Sequence, residues 1–431
     1  MYMSDASGSG DGTAVAGTYV DATAPADAQR VSSQADIDRL PPNANAVLAA
    51  DVDVLSLNAP ISLFGAGHSV GMVTLAAPGA RVSGVEAGAI VAKADNCTID
   101  HCTVNAQGMT AIAADGVNGV RVLDNVIHGN LITDSNGIFV HNAADAIVAG
   151  NTVSGAYMCI FIYVCTNPLV SDNYVGHVDG FRQGIDIYGD TITGGVFRNN
   201  EVAFDPYHGS GATQDHDAIG FRHLDGVLIE DNRAAGHYYT LKIYSSKNCI
   251  IQNNTLTRAG SLRTGFYDSN LIVRDNKISG EPLVGLSIGI WINDGTVDSI
   301  YENNQIWDCE YGVQESHYPE GTSYLEGGPS LPCSNITLKD NYIYNCTGSY
   351  LHIMDKGSIT ETGDIYGPMA WPYSTAVPSS TVTSSPTATI EPSITPTPVP
   401  TPTATEKTQS SGGLLDAIID FLKSVYHRIF P

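Results

Sequence analysis

The sequence predicts an all-β fold: a single-stranded right-handed parallel β-helix of about ten or more coils, with a disordered stalk and a short amphipathic helix at its C-terminal end. Three observations predict it. A short motif recurs at near-regular spacing, an alternating strand precedes most copies by about a dozen residues, and the composition suits a turn-rich chain around a continuous apolar core. Of 431 residues 44 are Gly, 15% are charged and 43% are hydrophobic.

The motif is an apolar run, then Asp-Asn or Asn-Asn, then a polar and usually an apolar residue. It appears as VLDNVI ending at Ile127, LVSDNYV at Val175, VFRNNEV at Val202, IQNNTL at Leu256, IVRDNKI at Ile278, YENNQI at Ile306 and LKDNYI at Ile343, with variants VAGNTV at Val153 and IEDNRA at Ala234. Its second residue is Asn125, Asn151, Asn173, Asn200, Asn232, Asn254, Asn276, Asn304 and Asn341, at intervals of 26, 22, 27, 32, 22, 22, 28 and 37. The floor of 22 is the bare coil and the excess is loop, because insertions leave a solenoid from a corner without disturbing the stack. Asn tolerates the left-handed conformation a corner needs, and its amide can bond the next rung to build a ladder. These residues are therefore read as structural.

The second strand of each coil is seen in GIFVHN (137–142), CIFIYV (159–164), GIDIYG (184–189), AIGFRH (218–223), TLKIYS (240–245) and GIWIND (289–294). Strict alternation sends the aliphatic positions inward. It also gives two outward columns. The first reads Phe139, Phe161, Asp186, Gly220, Lys242 and Trp291; the second reads His141, Tyr163, Tyr188, Arg222, Tyr244 and Asn293. Upstream of Cys102 the pattern fades but persists in AVLAADVDVLSL, APISLFGAG and ARVSGVEAGAIV. The resulting boundaries are a flexible segment over 1–34, a cap over 35–45 centred on ADIDRLPP, and the β-helix over 46–372.

The repeats resemble those of the pectate-lyase-like β-helix superfamily, in particular NosD-like proteins with short parallel repeats, over roughly 46–356. The resemblance implies the fold and leaves the function open, because that superfamily holds lyases, hydrolases, adhesins and a copper-pathway accessory protein.

Residues 373–413 are Thr-, Ser- and Pro-rich, a composition that stays extended, buries no core and accepts O-glycans. Residues 414–431 follow with Leu415, Ile418, Leu422, Val425 and Ile429 on one helical stripe. A helix this short is marginal alone, so self-association or anchoring through 414–431 is expected, with folding back onto the body as the alternative. Four N-x-T sequons, at Asn96, Asn253, Asn335 and Asn345, fit an extracellular or cell-surface location, although no signal peptide is visible in MYMSDASGSGDG. The net charge of −25 argues against nucleic acid as a partner. None of the eight cysteines is spaced as CxxC, so they are read as core filler, with a disulfide among Cys309, Cys333 and Cys346 left open.

Aromatic and charged groups on one strand face suit sugar rings, so a polysaccharide or surface glycan is the expected partner. His141, Tyr163, Tyr188, Tyr244 and Trp291 are the candidate binding residues; a solvent-exposed strand face rich in β-formers is the alternative. Two loops border the face, DPYHGSGATQDHD (205–217) and HYPEGTSYLEGGPSLP (317–332). In the first, Asp215 and Asp217 are candidate calcium ligands, a solvated loop being the alternative; no cofactor is otherwise indicated. The stretch TLKIYSSKNCIIQNNTLTRAGSLRTG is similar to a strand–turn–strand of the chondroitinase-B and alginate lyase family. That resemblance implies Lys242 as base and Arg263, one coil on, as the partner of a uronate carboxylate. It departs where HYYT stands in place of the family's calcium-holding glutamates. Counted from the ladder, Arg263 also falls one residue out of phase with Lys242. Arg222 and Asp186 complete the candidate catalytic set. Three function classes follow: a surface protein that binds carbohydrate, a polysaccharide lyase or hydrolase acting on uronate-containing glycans, and a NosD-like accessory factor in a metal pathway.

Overall fold

A computed structural model of the chain describes residues 23–367, apart from 109, 131–134, 177–183, 204–215, 237–238, 261, 281–286, 318–329 and 355–358. The chain divides into two units, Met1–Met369 and Ala370–Pro431, and every described residue belongs to the first. The predicted stalk and terminal helix lie outside the described residues.

Short strands alternate with corners, and each strand pairs in parallel with its counterpart one coil away, forming an all-β solenoid. Sheet one holds fifteen strands, from Gln29–Val31 to Ile359–Thr362. The other 24 strands form two faces that meet where Glu86–Ala92 pairs with Thr103–Asn105. Sheet two runs from Val52–Leu57 to Ser349–Ile353, and sheet three from Thr103–Asn105 to Ile365–Gly367. A coil passes from sheet one through a tight corner to sheet three, then to sheet two, and returns. Aliphatic side chains stack through the middle: Ile112, Ile138, Ile160, Ile187, Ile219, Leu241, Leu262, Ile290 and Val313 form one fully buried column of sheet two.

The tight corner holds the predicted ladder. From Asn125 to Asn341 all nine asparagines lie in one buried column, each Nδ2 donating to the Oδ1 of the next at 2.9–3.0 Å. Each Nδ2 also reaches a main-chain carbonyl of the preceding coil, as Asn254 does to Ile229 at 3.1 Å. Within the motif the two duties are divided. The left-handed residue is the first of the pair, as at Asp124, Asn199, Asp231, Asn253 and Asp340, with φ between 52° and 57°. The second residue is the rung. Asp364 closes the column, its Oδ1 accepting from the Asn341 amide side chain at 2.9 Å. All four sequon asparagines are exposed at left-handed positions, and Asn253 is the corner residue beside the rung Asn254.

The stack begins before the N-terminal limit read from sequence. Gln29–Val31 pairs with Asn45–Leu48, so a strand precedes the predicted cap. Between them a helix, Gln34–Ile37, starts at Ser33, whose hydroxyl accepts from the Asp36 N–H, and it buries Ile37 in the core. At the other end Ile365–Gly367 pairs with Tyr342–Tyr344. All eight cysteines are free thiols, seven of them buried. Burial pushes the Cys102 thiol up to about 12 and Cys165 to about 11, as expected of core filler; none of Cys309, Cys333 and Cys346 is in a disulfide.

Candidate functional site on sheet two

Register fixes which side chains share the outer face. The first outward column runs Phe139, Phe161, Tyr188, Gly220, Lys242, Arg263 and Trp291. The second runs Asp115, His141, Tyr163, Asp190, Arg222, Tyr244 and Gly265. Two expectations are corrected here. Tyr188 and Asp190 take the places alternation gave to Asp186 and Tyr188. Asp186 lies one residue before the inward Ile187 in the strand Gly184–Thr193 and is buried, with the Cys159 thiol donating to it at 3.7 Å. The sequence held the signal: both columns lie a constant 12 and 10 residues before the ladder asparagine from Phe139 to Lys242, and that count selects Tyr188 and Asp190.

Arg263 is the second correction, because it pairs directly with Lys242 and shares its column. Its coil carries one extra residue after the strand. The corner absorbs it with two consecutive left-handed residues, Phe266 and Tyr267, where the preceding coil uses Ser245 alone. The register at Lys242 is therefore unchanged.

The face is packed rather than open. Arg263 is 4% exposed, and its guanidinium lies 4.3 Å from the Trp291 ring centroid and 5.0 Å from that of Tyr239. It donates to the Tyr239 hydroxyl at 2.7 Å and to Asn293 Oδ1 at 2.9 Å. Lys242 forms an ion pair with Asp217, which is buried, and its ammonium sits over the Tyr239 and Tyr244 rings. Asp217 was expected in a loop. It is a strand residue of His216–Asp225, in register with Ile185 and Tyr239. Its pairing with Lys242 occupies one carboxylate oxygen, and Asp215 lies outside the described residues. Among the described residues, no group of three or more His, Cys, Asp or Glu side chains is placed to hold a metal.

The expected sugar-stacking rings divide by burial. Tyr188 packs on Phe161 at 5.0 Å between centroids and Tyr244 packs edge-on against Phe266 at 4.7 Å; both are buried, so neither offers a ring face to a ligand in this arrangement. His141, Tyr163 and Trp291 are only half-buried, with His141 stacked on Tyr163 at 5.1 Å. Lys242 and Arg222 also reach the surface. Sequence reasoning missed Asp190, Tyr239 and His223. Asp190 accepts from His223 Nδ1 at 2.8 Å and from the Tyr188 hydroxyl at 3.2 Å.

With this geometry in place, a family model described as right-handed β-helix region matches residues 77–216 and 217–366. The chain belongs to the right-handed β-helix family. The handedness and repeat structure of the pectate-lyase-like resemblance hold for this member of the family. No curated protein matches it. Among solved structures, it is similar to the A-module of mannuronan C-5 epimerase AlgE6 from Azotobacter vinelandii, at 14% identity, TM-score 0.50, and coverage of 78% of this chain and 94% of that one. The AlgE4 A-module of the same organism gives 14%, 0.46, 80% and 93%. DFA-IIIase from Arthrobacter chlorophenolicus A6 gives 12%, 0.46, 75% and 88%. At such identities the likeness is one of fold.

Proposed function

We propose that this β-helix binds an acidic polysaccharide along the outer face of sheet two. The observation that carries the reading is the charge placement. In a chain of net charge −25, Arg222, Lys242 and Arg263 fall on three consecutive coils of one face. Coils are about 4.8 Å apart, so the three cations span about one to two sugar units. Arg222 at the surface would pair with a ligand carboxylate, while Lys242, held by Asp217, and the buried Arg263 set the charge of the face around it. The half-buried Tyr163 and Trp291, on either side of the cations, would pack the remaining surface of their rings against adjoining sugars. Support from the comparisons is limited to the scaffold, shared with a protein named for mannuronan.

The same reading makes the chain an exported, surface-associated protein, held through the 373–413 stalk and the 414–431 helix. Removing 373–431 is expected to release it from the surface or from its oligomer while leaving glycan binding intact. The binding test is calorimetry of the full chain against oligomers of mannuronate, guluronate and galacturonate, with neutral glucans as controls. Selective binding of the acidic oligomers, weakened at least tenfold in Arg222→Ala, is expected. Equal binding of neutral and acidic oligomers, or of none, would overturn the proposal.

A further inference from the structure

Sheet one carries an apolar stripe on its outer surface that serves neither the core nor the glycan face. In each short strand the middle residue points inward, as the fully buried Val148, Val170, Ile229, Ile251 and Val273 do, so the residue before it faces out. From Ile147 to Ile300 seven consecutive coils place an aliphatic residue at that outward position, the last five being Val196, Leu228, Ile250, Ile272 and Ile300. None of the seven is buried, and Ile300 is 38% exposed. Strand preference alone does not account for the stripe. The same column holds Arg81, Thr98 and Arg121 on one side of it and Thr337 and Thr360 on the other. On the same coils the corresponding column of sheet three reads Glu201, Arg233, Thr255 and Lys277. A continuous apolar stripe left on the surface marks a place where something binds.

The column beside the stripe, two residues further along each strand, identifies the occupant. It reads Arg198, Glu230, Gln252, Arg274 and Glu302. About Gln252 the signs are opposite at equal distance: Glu230 against Arg274 one coil away, Arg198 against Glu302 two coils away. A column with this antisymmetry is complementary to itself when the order of coils is reversed. We propose that sheet one is a dimer interface, on which a second copy of this chain packs face to face about a two-fold axis lying along the strand Ile250–Gln252. Such an axis reverses the coils and keeps each column opposite its own counterpart. Ile250 then meets the partner's Ile250, Leu228 meets the partner's Ile272 and Val196 meets the partner's Ile300. Beside them Glu230 faces the partner's Arg274, and Arg198 faces the partner's Glu302. Coils packed in parallel would instead lay the charged column on the apolar stripe and bury charge unpaired. Gln252 keeps the central charges in line, its Nε2 donating to Glu230 at 2.8 Å and its Oε1 accepting from Arg274 at 2.7 and 2.9 Å. Seven coils span about 34 Å and two columns with their rims about 15 Å, so each copy contributes about 500 Å². The total of about 1,000 Å² reaches the threshold of a specific interface but not the ~1,600 Å² of the standard class, so the dimer is expected to be reversible in the micromolar range. Sheet two takes no part in this contact, and the inference does not depend on the glycan reading.

The test is sedimentation equilibrium of the full chain from about 1 to 300 μM, with circular dichroism melts of every variant. The wild type should associate. Ile250→Lys, which brings two ammonium groups together on the axis, should weaken the association at least tenfold without lowering the melting temperature. Glu230→Arg and Arg274→Glu leave the apolar stripe intact, so they decide the matter even if Ile250→Lys folds poorly. Each should weaken the dimer about tenfold. The double variant, with the two charges exchanged, should return to within about threefold of the wild type, because the exchange preserves complementarity across the axis. A wild type that stays monomeric throughout overturns the proposal. So does association that a folded Ile250→Lys or the single reversals leave unchanged, which would assign it to another part of the chain such as 414–431. Failure of the exchanged pair to restore the dimer overturns the two-fold packing.

Discussion

Replacing Asn254 by Ala tests the division of labour at the tight corner. The side chain is completely buried and makes four bonds: Nδ2 to Ile229 O at 3.1 Å and to Asn276 Oδ1 at 3.0 Å, and Oδ1 from the Asn232 N–H and Nδ2, both at 3.0 Å. At a net ~0.5–1.5 kcal/mol each, the loss is about 2–6 kcal/mol, and the Asn232 N–H, left buried without this acceptor, places it in the upper half of that range. Its neighbour Asn253 is exposed at φ 57° and serves by conformation, so Asn253→Ala should lose about 1 kcal/mol and Asn253→Gly nothing. Urea unfolding followed by circular dichroism gives the three midpoints. Native-state hydrogen exchange should show the Asn254→Ala loss concentrated in the coils that carry Asn232 and Asn276, because a solenoid couples nearest neighbours. Equal losses at Asn253 and Asn254, or under about 1 kcal/mol for Asn254→Ala, would refute the reasoning.

Two further outcomes follow from buried charge. Lys242→Met leaves Asp217 buried without its ammonium and should destabilise the chain by about 3–5 kcal/mol, while Lys242→Met with Asp217→Leu should recover most of that loss without recovering acidic-glycan affinity; thermal melts beside calorimetry separate the two effects. At Asp100, burial raises the carboxyl pKa, but Arg81, His101 and Ser83 together outweigh it and hold the group below its ordinary 3.8. The folded pKa is depressed, so this stabilisation is complete above the unfolded value and is lost as pH falls through the folded one. Arg81→Met removes the strongest partner and should move the acid-unfolding midpoint to higher pH; an unchanged midpoint would show that His101 and Ser83 suffice.

The solenoid was legible because its determinant is local chemistry repeated. A residue that tolerates φ near +55°, followed by an amide that can both donate and accept, recurs at no less than 22 residues. No tertiary knowledge is needed to see that such residues stack. The same count, carried 12 and 10 residues back, also held the identity of the face from Phe139 to Lys242. Alternation within GIDIYG obscured it, because it fixes only the parity of the outward positions and left the register two residues short; Ile187, not Ile185, is level with Ile160 and Ile219. Tertiary structure alone decided the rest. Arg263 stays level with Lys242 because the surplus residue of its coil is taken up at Phe266–Tyr267. Asp217 becomes a strand residue because neighbours in register hold it there. Tyr188 and Tyr244 are covered by Phe161 and Phe266, not offered to solvent. Each depends on which side chain one coil away occupies the adjoining space, and residue type fixes that only once register is known. The sequence by itself determined the repeat and its corner chemistry; packing between coils decided that Arg263 joins Lys242 in one column, and which groups of the face are buried and which are paired.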